Sequence, residues 1–446
     1  MNISVSGKYY LTIVKKTRFG IIFCAFLTLL NDRLSETILL PFLPKLKTYF
    51  GVNPTTLGLL AGTYALAQFA VSPLIGALSD KYGRKPVITI CVFGSLIGLS
   101  LFALSIHLLG INVSTGKGVT PFIIVLLFLA RIIDGGSGGT AASAAAVLAD
   151  ISTPENRAKT FGIIGAAFGL GFIIGPLLGG ILTSINFTYP GIAAVIFALF
   201  NLIVVIRLLP ETYTPDATNA MVKKRELNPI SQLIKLFNNR LVSRLSIAFF
   251  VFFIAFNGLT AFLLVYLEEV FNWTGNEIII SFFFISITKN ILPSLTLVWV
   301  GVIAIIVQGG LIGRLVKAFG EWKLTMVGIG SVISGCILLV SAGKENSIPI
   351  VFTSATFLAL GTGLVVPSLR AIISKKLSAS GQGAILGNLQ GLQGLGSFLG
   401  AWGAGKAYGA IGPSSPFLIG MFILIFVGIL LSGKNPNYQV NNLNET

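Results

Sequence analysis

The chain is built from apolar runs that are each long enough to cross a bilayer and too numerous for any water-soluble core. Hydrophobic residues make up 54% of it and Asp, Glu, Lys and Arg together only 10%, against about 25% charged residues in a typical soluble domain. One helical span takes about 20 apolar residues. Hydropathy predicts twelve, at 19–46, 55–78, 86–109, 120–147, 158–183, 188–209, 243–270, 293–316, 322–343, 348–374, 380–405 and 413–433. Backbone polar groups in lipid must be satisfied within their own segment, so the spans are read as helices. The fold class is an all-α integral membrane protein, with the lipid bilayer as its solvent.

The first run, from Phe19 to about Leu46, is too long for a signal-peptide core, and no small-residue cleavage site follows it. It is expected to stay as the first helix. The longest polar gap is 210–242, which opens on Pro210-Glu211-Thr212 and contains Lys223, Lys224 and Arg225. It divides the chain into a six-helix bundle at 1–209, a linker, and a second six-helix bundle at 243–446.

The net charge of +16 is membrane topology rather than nucleic-acid binding, because the cations lie between apolar runs. Of the 31 Lys and Arg, 23 fall on one side of the predicted spans, including Lys81, Arg84, Lys85, the cations of the polar gap, and Arg370. Lys45, Lys47, Lys117, Lys289, Lys344 and Lys406 fall on the other, and Arg33 and Arg131 lie inside spans. This bias places both termini in the cytoplasm and requires an even number of spans. The same parity argues that the apolar residues 276–292 do not cross. A helix there would put the cations of the second half outside, so the segment is expected to be interfacial or re-entrant.

Cys24, Cys91 and Cys336 lie far apart in separate apolar runs, and His107, the lone histidine, falls near a predicted helix end. No metal or redox spacing results, and no cofactor is expected. No nucleophile elbow or phosphate loop appears, which argues against an enzyme.

The two halves repeat. Gly76, Leu78 and Gly83 match Gly313, Leu315 and Gly320 at an offset of 237, and Lys85 falls opposite Trp322 or Lys323. Gly162, Gly169, Gly171, Gly175 and Gly180 match Gly387, Gly394, Gly396, Gly400 and Gly405 at 225. Duplicated six-helix halves place a substrate site near the midplane between them.

Four motifs occur in order in the first half: Asp32 through Pro44, the charged turn 76–86, Arg131 to Gly139, and Gly171 to Gly180. With them the chain resembles the major facilitator superfamily over nearly its full length, and within it the drug:proton antiporters related to bacterial tetracycline exporters. The resemblance implies the major facilitator fold of two pseudo-symmetric six-helix bundles. It also implies a gate loop formed by Gly76, Asp80, Gly83, Arg84 and Lys85. Asp80 would dock at the start of the eleventh helix, where free N–H groups favour an anion. Arg84 would pair with Asp150, and together they would latch the outward-open state. Lys317 stands at the Asp80 position of the second half, so the latch should be asymmetric. Gly171, Gly175, Pro176, Gly179 and Gly180 resemble the helix motif of antiporters, with small residues for close packing and a proline to bend the helix.

Charges inside spans are costly and face a cavity or one another. Asp32 and Glu36 share a helical face with Arg33 about 100° away, and Arg131 and Asp134 share another. Desolvation raises a carboxylate's hold on its proton and a nearby cation lowers it. Asp32 beside Arg131 is therefore the expected proton carrier, with Glu36 and Asp134 as further candidates; a static ion pair fixing the first and fourth helices is the other reading. Asn31, Gln68, Asn257, Gln308, Gln390 and Gln393 are the neutral polar candidates for the substrate cavity.

The ninth span has no acid beyond Glu321 at its edge, and the eighth has no histidine. The resembling exporters place coupling or substrate groups there, which argues against tetracycline as the substrate. The expected function is proton-coupled export of small amphiphilic molecules by a monomer in the cell membrane. An importer or facilitator of a polar solute, and a non-transporting scaffold or receptor, are the alternatives.

Overall fold

A computed structural model describes residues 4–115, 119–152, 157–212, 240–275, 277–282, 285–345, 347–376 and 382–432. These residues form twelve membrane helices. In the first half α1 is Ser4–Thr37, followed by a 3-10 turn, Leu40–Phe42, and a short helix, Leu43–Thr48. Pro41 and Pro44 sit at the starts of these turns, where a missing N–H costs nothing. Helix α2 is Pro54–Tyr82, capped by Asn53, whose side chain accepts from Thr56 N at 2.8 Å. Helix α3 is Arg84–Ser114, with His107 exposed inside it rather than at its end. Helix α4 runs in two pieces, Pro121–Ser137 and Thr140–Asp150, α5 is Arg157–Ile185, and α6 is Tyr189–Leu208. Residues 213–239 of the polar gap lie outside the described residues.

The second half opens with α7, Arg240–Val270. Helix α8 begins at Leu292–Ile305 and widens into a π-type stretch, Ile306–Leu311. The following helix, Ile312–Glu345, breaks at Gly320, which ends α8 and begins α9. Helices α10 (Ile348–Lys376), α11 (Gln382–Ala410) and α12 (Ser415–Ser432) complete the set. Among the described residues seven helical stretches are long and apolar enough to cross a membrane, one of which, Lys289–Gly343, holds both α8 and α9. Helix α1 falls short through its charges, α4 through its break, and α2 and α11 through their glycines and polar residues.

Among its described residues, the apolar segment between α7 and α8 forms two strands and a 3-10 turn, Lys289–Ile291, rather than a membrane helix. Ile278–Phe282 (β1) and Ile285–Thr288 (β2) form an antiparallel hairpin with Ile280 opposite Ile287 and Phe282 opposite Ile285. Lys289 N donates to Glu277 O at 2.9 Å and Asn290 N to Gly275 O at 3.0 Å, closing its base. Strands of 5 and 4 residues fall short of the roughly 9–11 needed to cross a bilayer.

The repeat is visible in the backbone. Gly83 between α2 and α3 has φ 96° and ψ 162°, and Gly320 between α8 and α9 has φ 76° and ψ 155°. Positive φ of this kind is cheap only for glycine, which explains why the turn repeats as glycine while its charges diverge. The helix glycines are equivalent too. A Cβ at Gly175 of α5 would lie 2.0 Å from Thr37 Oγ1 of α1, and one at Gly400 of α11 would lie 2.2 Å from the Ile254 carbonyl of α7. On their other faces Gly169 and Gly180 meet Ile305 and Ser294 of α8, while Gly394 and Gly405 meet α2 at Ala65 and Pro54. Helices α5 and α11 therefore each bind the first helix of their own half and one helix of the other.

A buried apolar cluster runs across both halves and along the length of α7, from Val242 to Phe271. It joins Phe42, Leu43 and Leu46 to Phe262, Tyr266 and Tyr408.

Candidate functional site

Five charged side chains and one tyrosine meet inside the first half. Asp32 Oδ1 accepts from the Tyr64 hydroxyl of α2 at 2.8 Å, and Asp32 Oδ2 lies 3.5 Å from Arg33 Nη2. Arg33 Nη1 also pairs with Glu36 Oε2 at 2.5 Å, and its guanidinium lies 4.3 Å from the Phe168 ring centroid on α5. Arg33 thus serves both acids, although it projects from a different helical angle; a long flexible arm reaches round the helix. Asp32, Arg33, Arg131 and Asp134 are all buried, whereas the Glu36 side chain is 30% exposed.

Arg131 is held separately. Its Nη1 donates to the Ser35 carbonyl at 3.1 Å and lies 3.4 Å from Asp134 Oδ2, and its guanidinium stands 4.7 Å over the Tyr64 ring. Ser95 of α3 donates to Asp134 Oδ1. The cation beside Asp32 is therefore Arg33 and not the expected Arg131, because Asp134 and the α1 carbonyl already engage Arg131. The glycines after Arg131 serve packing: a Cβ at Gly135 would lie 2.3 Å from the Tyr64 carbonyl, so α2 and α4 touch there.

Three carboxylates face two guanidinium groups, so the fully ionised cluster carries one uncompensated negative charge. Asp32 Oδ2 is buried without a hydrogen-bond donor. A buried carboxylate oxygen without a hydrogen-bond donor is costly in its charged form, and a proton removes the charge.

A cavity between the halves is lined by Glu36, Thr37 and Arg131 on one side and by Phe256, Asn257 and Ser397 on the other. Of the neutral candidates, Asn257 faces it. Asn31 does not: it stands about 140° round α1 from Glu36 and lines a lateral pocket with Ser35, Leu99 and Phe197. Gln68 is turned to α4, where its Nε2 donates to the Gly138 carbonyl at 2.9 Å. Gln308 is exposed on the π-type stretch of α8 and is not among the lining residues. Gln390 is half-buried on α11, and Gln393 accepts from Arg370 of α10.

The turn 76–86 is organised by a residue that the sequence reading assigned to the linker. Glu211, after α6, accepts from the backbone N–H of Arg84 at 2.8 Å and of Lys85 at 3.1 Å, capping the first turn of α3. Arg84 Nε lies 3.2 Å from Asp150 Oδ2, and its Nη1 donates to Ser79 Oγ at 3.1 Å. The Asp80 side chain and residues 377–381, before α11, lie outside the described residues. The place of Asp80 in the gate therefore rests on the resemblance. Gly76 faces open space.

At the opposite end two ion pairs join the halves. Lys45, after α1, lies 3.0 Å from Glu268 at the end of α7, with both side chains largely buried. Lys47 pairs with Glu269, which also accepts from the Tyr408 hydroxyl of α11. These partners are more than 200 residues apart in the chain, so no local pattern announces them. Tyr64 was equally silent in the sequence.

Two repeated six-helix halves around a charged cavity are the architecture of a secondary transporter, not of an enzyme. A profile of the Major Facilitator Superfamily matches residues 21–344, and the chain belongs to that superfamily. It is 29% identical over 343 residues to "Tetracycline resistance protein, class C" of Escherichia coli, covering 77% of each chain. It is 28% identical over 400 residues to the class H protein of Pasteurella multocida, covering 90% of this chain and 88% of that one. The crystal structure of the human organic anion transporter MFSD10 (TETRAN) has the same fold, with a TM-score of 0.68 at 23% identity, over 93% of this chain and 99% of that one. The protein is thus a membrane-spanning transporter with a small-molecule substrate.

Proposed function

We propose that this transporter exports small amphiphilic compounds in exchange for protons. The observation that carries the reading is the three-to-two cluster, in which Asp32 and Glu36 share one guanidinium and Asp32 keeps a buried oxygen without a hydrogen-bond donor. Asp32 carries the proton, and Glu36, which shares Arg33 with it and lines the cavity, passes the proton to and from the cavity. Arg131 and Asp134 hold α4 against α1. A cavity wall of leucines, alanines and two phenylalanines, Phe172 and Phe256, beside a few polar groups suits a lipophilic body with a polar end. Relatedness to tetracycline resistance proteins supports export as the direction.

In this reading the protein works as a monomer in the cell membrane with both termini in the cytoplasm. Residues 1–209 and 243–446 are the rocking halves, and 210–242 is the cytoplasmic linker. The turn 76–86 is then cytoplasmic, and the Lys45–Glu268 pair closes the outer side. The gate loop, with Arg84 on Asp150 and Glu211 under it, sets the rate of exchange between states. The helix glycines from Gly171 to Gly180, with Pro176, seal α5 against α1 and α8.

The test is a compound-sensitivity screen of a strain overproducing the protein beside one overproducing Asp32→Asn at equal membrane levels. Resistance to some amphiphiles, lost in the variant, is expected. Equal resistance in both strains would remove Asp32 from the mechanism.

A further inference from the structure

The second half contributes one half-buried cation inside its helix packing. Arg370 of α10 was counted among the loop cations from sequence, yet it sits inside the helix against α11 and α7. One Nη donates to Gln393 Oε1, the guanidinium lies 5.8 Å from the Phe249 ring centroid, and its Nε is buried without a hydrogen-bond partner. No acid pairs with it among the described residues. Between Glu345 and Glu445 there is no acidic residue, so α10, α11 and α12 contain none. Arg33 is answered by Asp32 and Glu36, and Arg131 by Asp134; among the described residues Arg370 has a neutral partner, Gln393, and no acid.

A cation inside a membrane protein faces a partner or a pathway. The neighbours of Arg370 point to a pathway. Gln393 stands one turn from Ser397 on the same face of α11, and Ser397 lines the central cavity. Phe249 stands two turns from Phe256 on α7, and Phe256 lines the same cavity. Water from the cavity can hydrate the guanidinium while the site is open. Closure expels that water, and the charge then needs an anion.

We infer that Arg370 and Gln393 form an anion-accepting subsite, so that the compounds carried are amphiphiles with a carboxylate or a similar anionic group on an apolar body. The guanidinium fork matches a carboxylate in a two-point contact, and the Gln393 amide nitrogen adds a donor. The apolar body lies along Phe256 and Phe172. The inference rests on the reading of this cavity as the transport site. Substrate head and proton occupy different groups, Arg370 in one half and Asp32 in the other. Outward passage of an anion is also favoured by an inside-negative membrane potential.

Three probes with one ring system test it: 1-naphthoate, 1-naphthamide and 1-naphthylmethylammonium, bound by equilibrium dialysis to the purified full-length protein. The native protein should prefer naphthoate to the ammonium compound by about tenfold or more. Arg370→Gln should weaken naphthoate by about tenfold and leave the amide unchanged, with Arg370→Lys between them because a point charge replaces the fork. Gln393→Leu should weaken naphthoate by about threefold. No naphthoate binding, equal binding of anion and cation by the native protein, or an unchanged ratio in Arg370→Gln would overturn the subsite. So would a variant that binds naphthoate normally and fails only in exchange, which would make Arg370 a gate counter-ion. If Arg370→Gln does not fold, the native ratio and Gln393→Leu decide. Loss of anion preference with Asp32-dependent resistance intact removes the subsite alone; anion preference without Asp32 dependence removes the proton-coupled reading alone.

Discussion

Tyr64 touches both halves of the charge cluster: its hydroxyl donates to Asp32 at 2.8 Å while its ring lies 4.7 Å beneath the Arg131 guanidinium. One side chain of α2 thereby couples the acid of α1 to the base of α4, which make no ion pair with each other. The contact is possible because Gly135 lets α2 approach α4 at the Tyr64 backbone.

Tyr64→Phe separates the two functions of that side chain. The ring stays under Arg131, so folding and membrane level should be unchanged. The bond to the carboxylate is lost, and a hydrogen bond to a charged group contributes about 1.5–3 kcal/mol. Proton-driven efflux from proteoliposomes should fall by about tenfold or more, while Tyr64→Ala, which also uncovers Arg131, should reduce the amount of folded protein. Normal efflux by Tyr64→Phe would show that Asp32 does not need this donor.

The Lys45–Glu268 pair should hold the outer side closed. Removing one partner of a buried pair strands the other charge, whereas replacing both with apolar residues is often close to neutral. Lys45→Met should therefore raise labelling of a cysteine placed at Thr260 by an impermeant reagent added outside, by about tenfold. Lys45→Met with Glu268→Met should bring the rate most of the way back. A double variant as open as the single one would mean that bulk, not charge, closes this end.

The hairpin makes a separate prediction about topology. Glu277 and Asn290 sit at its base, joined through Lys289 N to Glu277 O and Asn290 N to Gly275 O. In a background lacking Cys24, Cys91 and Cys336, cysteines at both positions should label from the outside. Labelling from opposite sides would require a crossing between them and an odd number of spans.

What the sequence showed depended on how local the signal was. The twelve helices were readable because burial in lipid acts on every residue of a span. Gly83 and Gly320 were readable as a repeat because each turn needs a positive φ that glycine adopts cheaply. The hairpin was missed as a strand pair, although Ile278, Ile280, Ile285 and Ile287 are β-branched, because apolar length dominated the reading. Asn31 and Gln68 were assigned to the cavity by residue type alone, while the helical angle of one and the Gly138 carbonyl bound by the other take them elsewhere. Arg370 was hidden because counting cations by side does not separate a loop from the last turns of a helix. The ties of Lys45 to Glu268 and of Glu211 to the start of α3 are set by tertiary packing, which no local spacing records.

The last prediction separates carrier from relay in the acid pair that shares Arg33. Asp32 has a 1% exposed side chain and a donor-free oxygen, while Glu36 is 30% exposed and lines the cavity. Asp32→Asn mimics a permanently protonated, neutral carrier. It should abolish uphill efflux driven by a pH gradient and leave downhill exchange of the same compound partly intact, because the halves can still rock. Glu36→Gln leaves the carrier but removes its path to the cavity. Uphill efflux should then be slowed by about tenfold rather than lost, with the final gradient unchanged. Both rates are measured in proteoliposomes with the compound found in the sensitivity screen. A near-normal gradient built by Asp32→Asn would pass the carrier role to Glu36 or Asp134. Loss of downhill exchange as well would make Asp32 part of the scaffold that joins α1 to α2 through Tyr64.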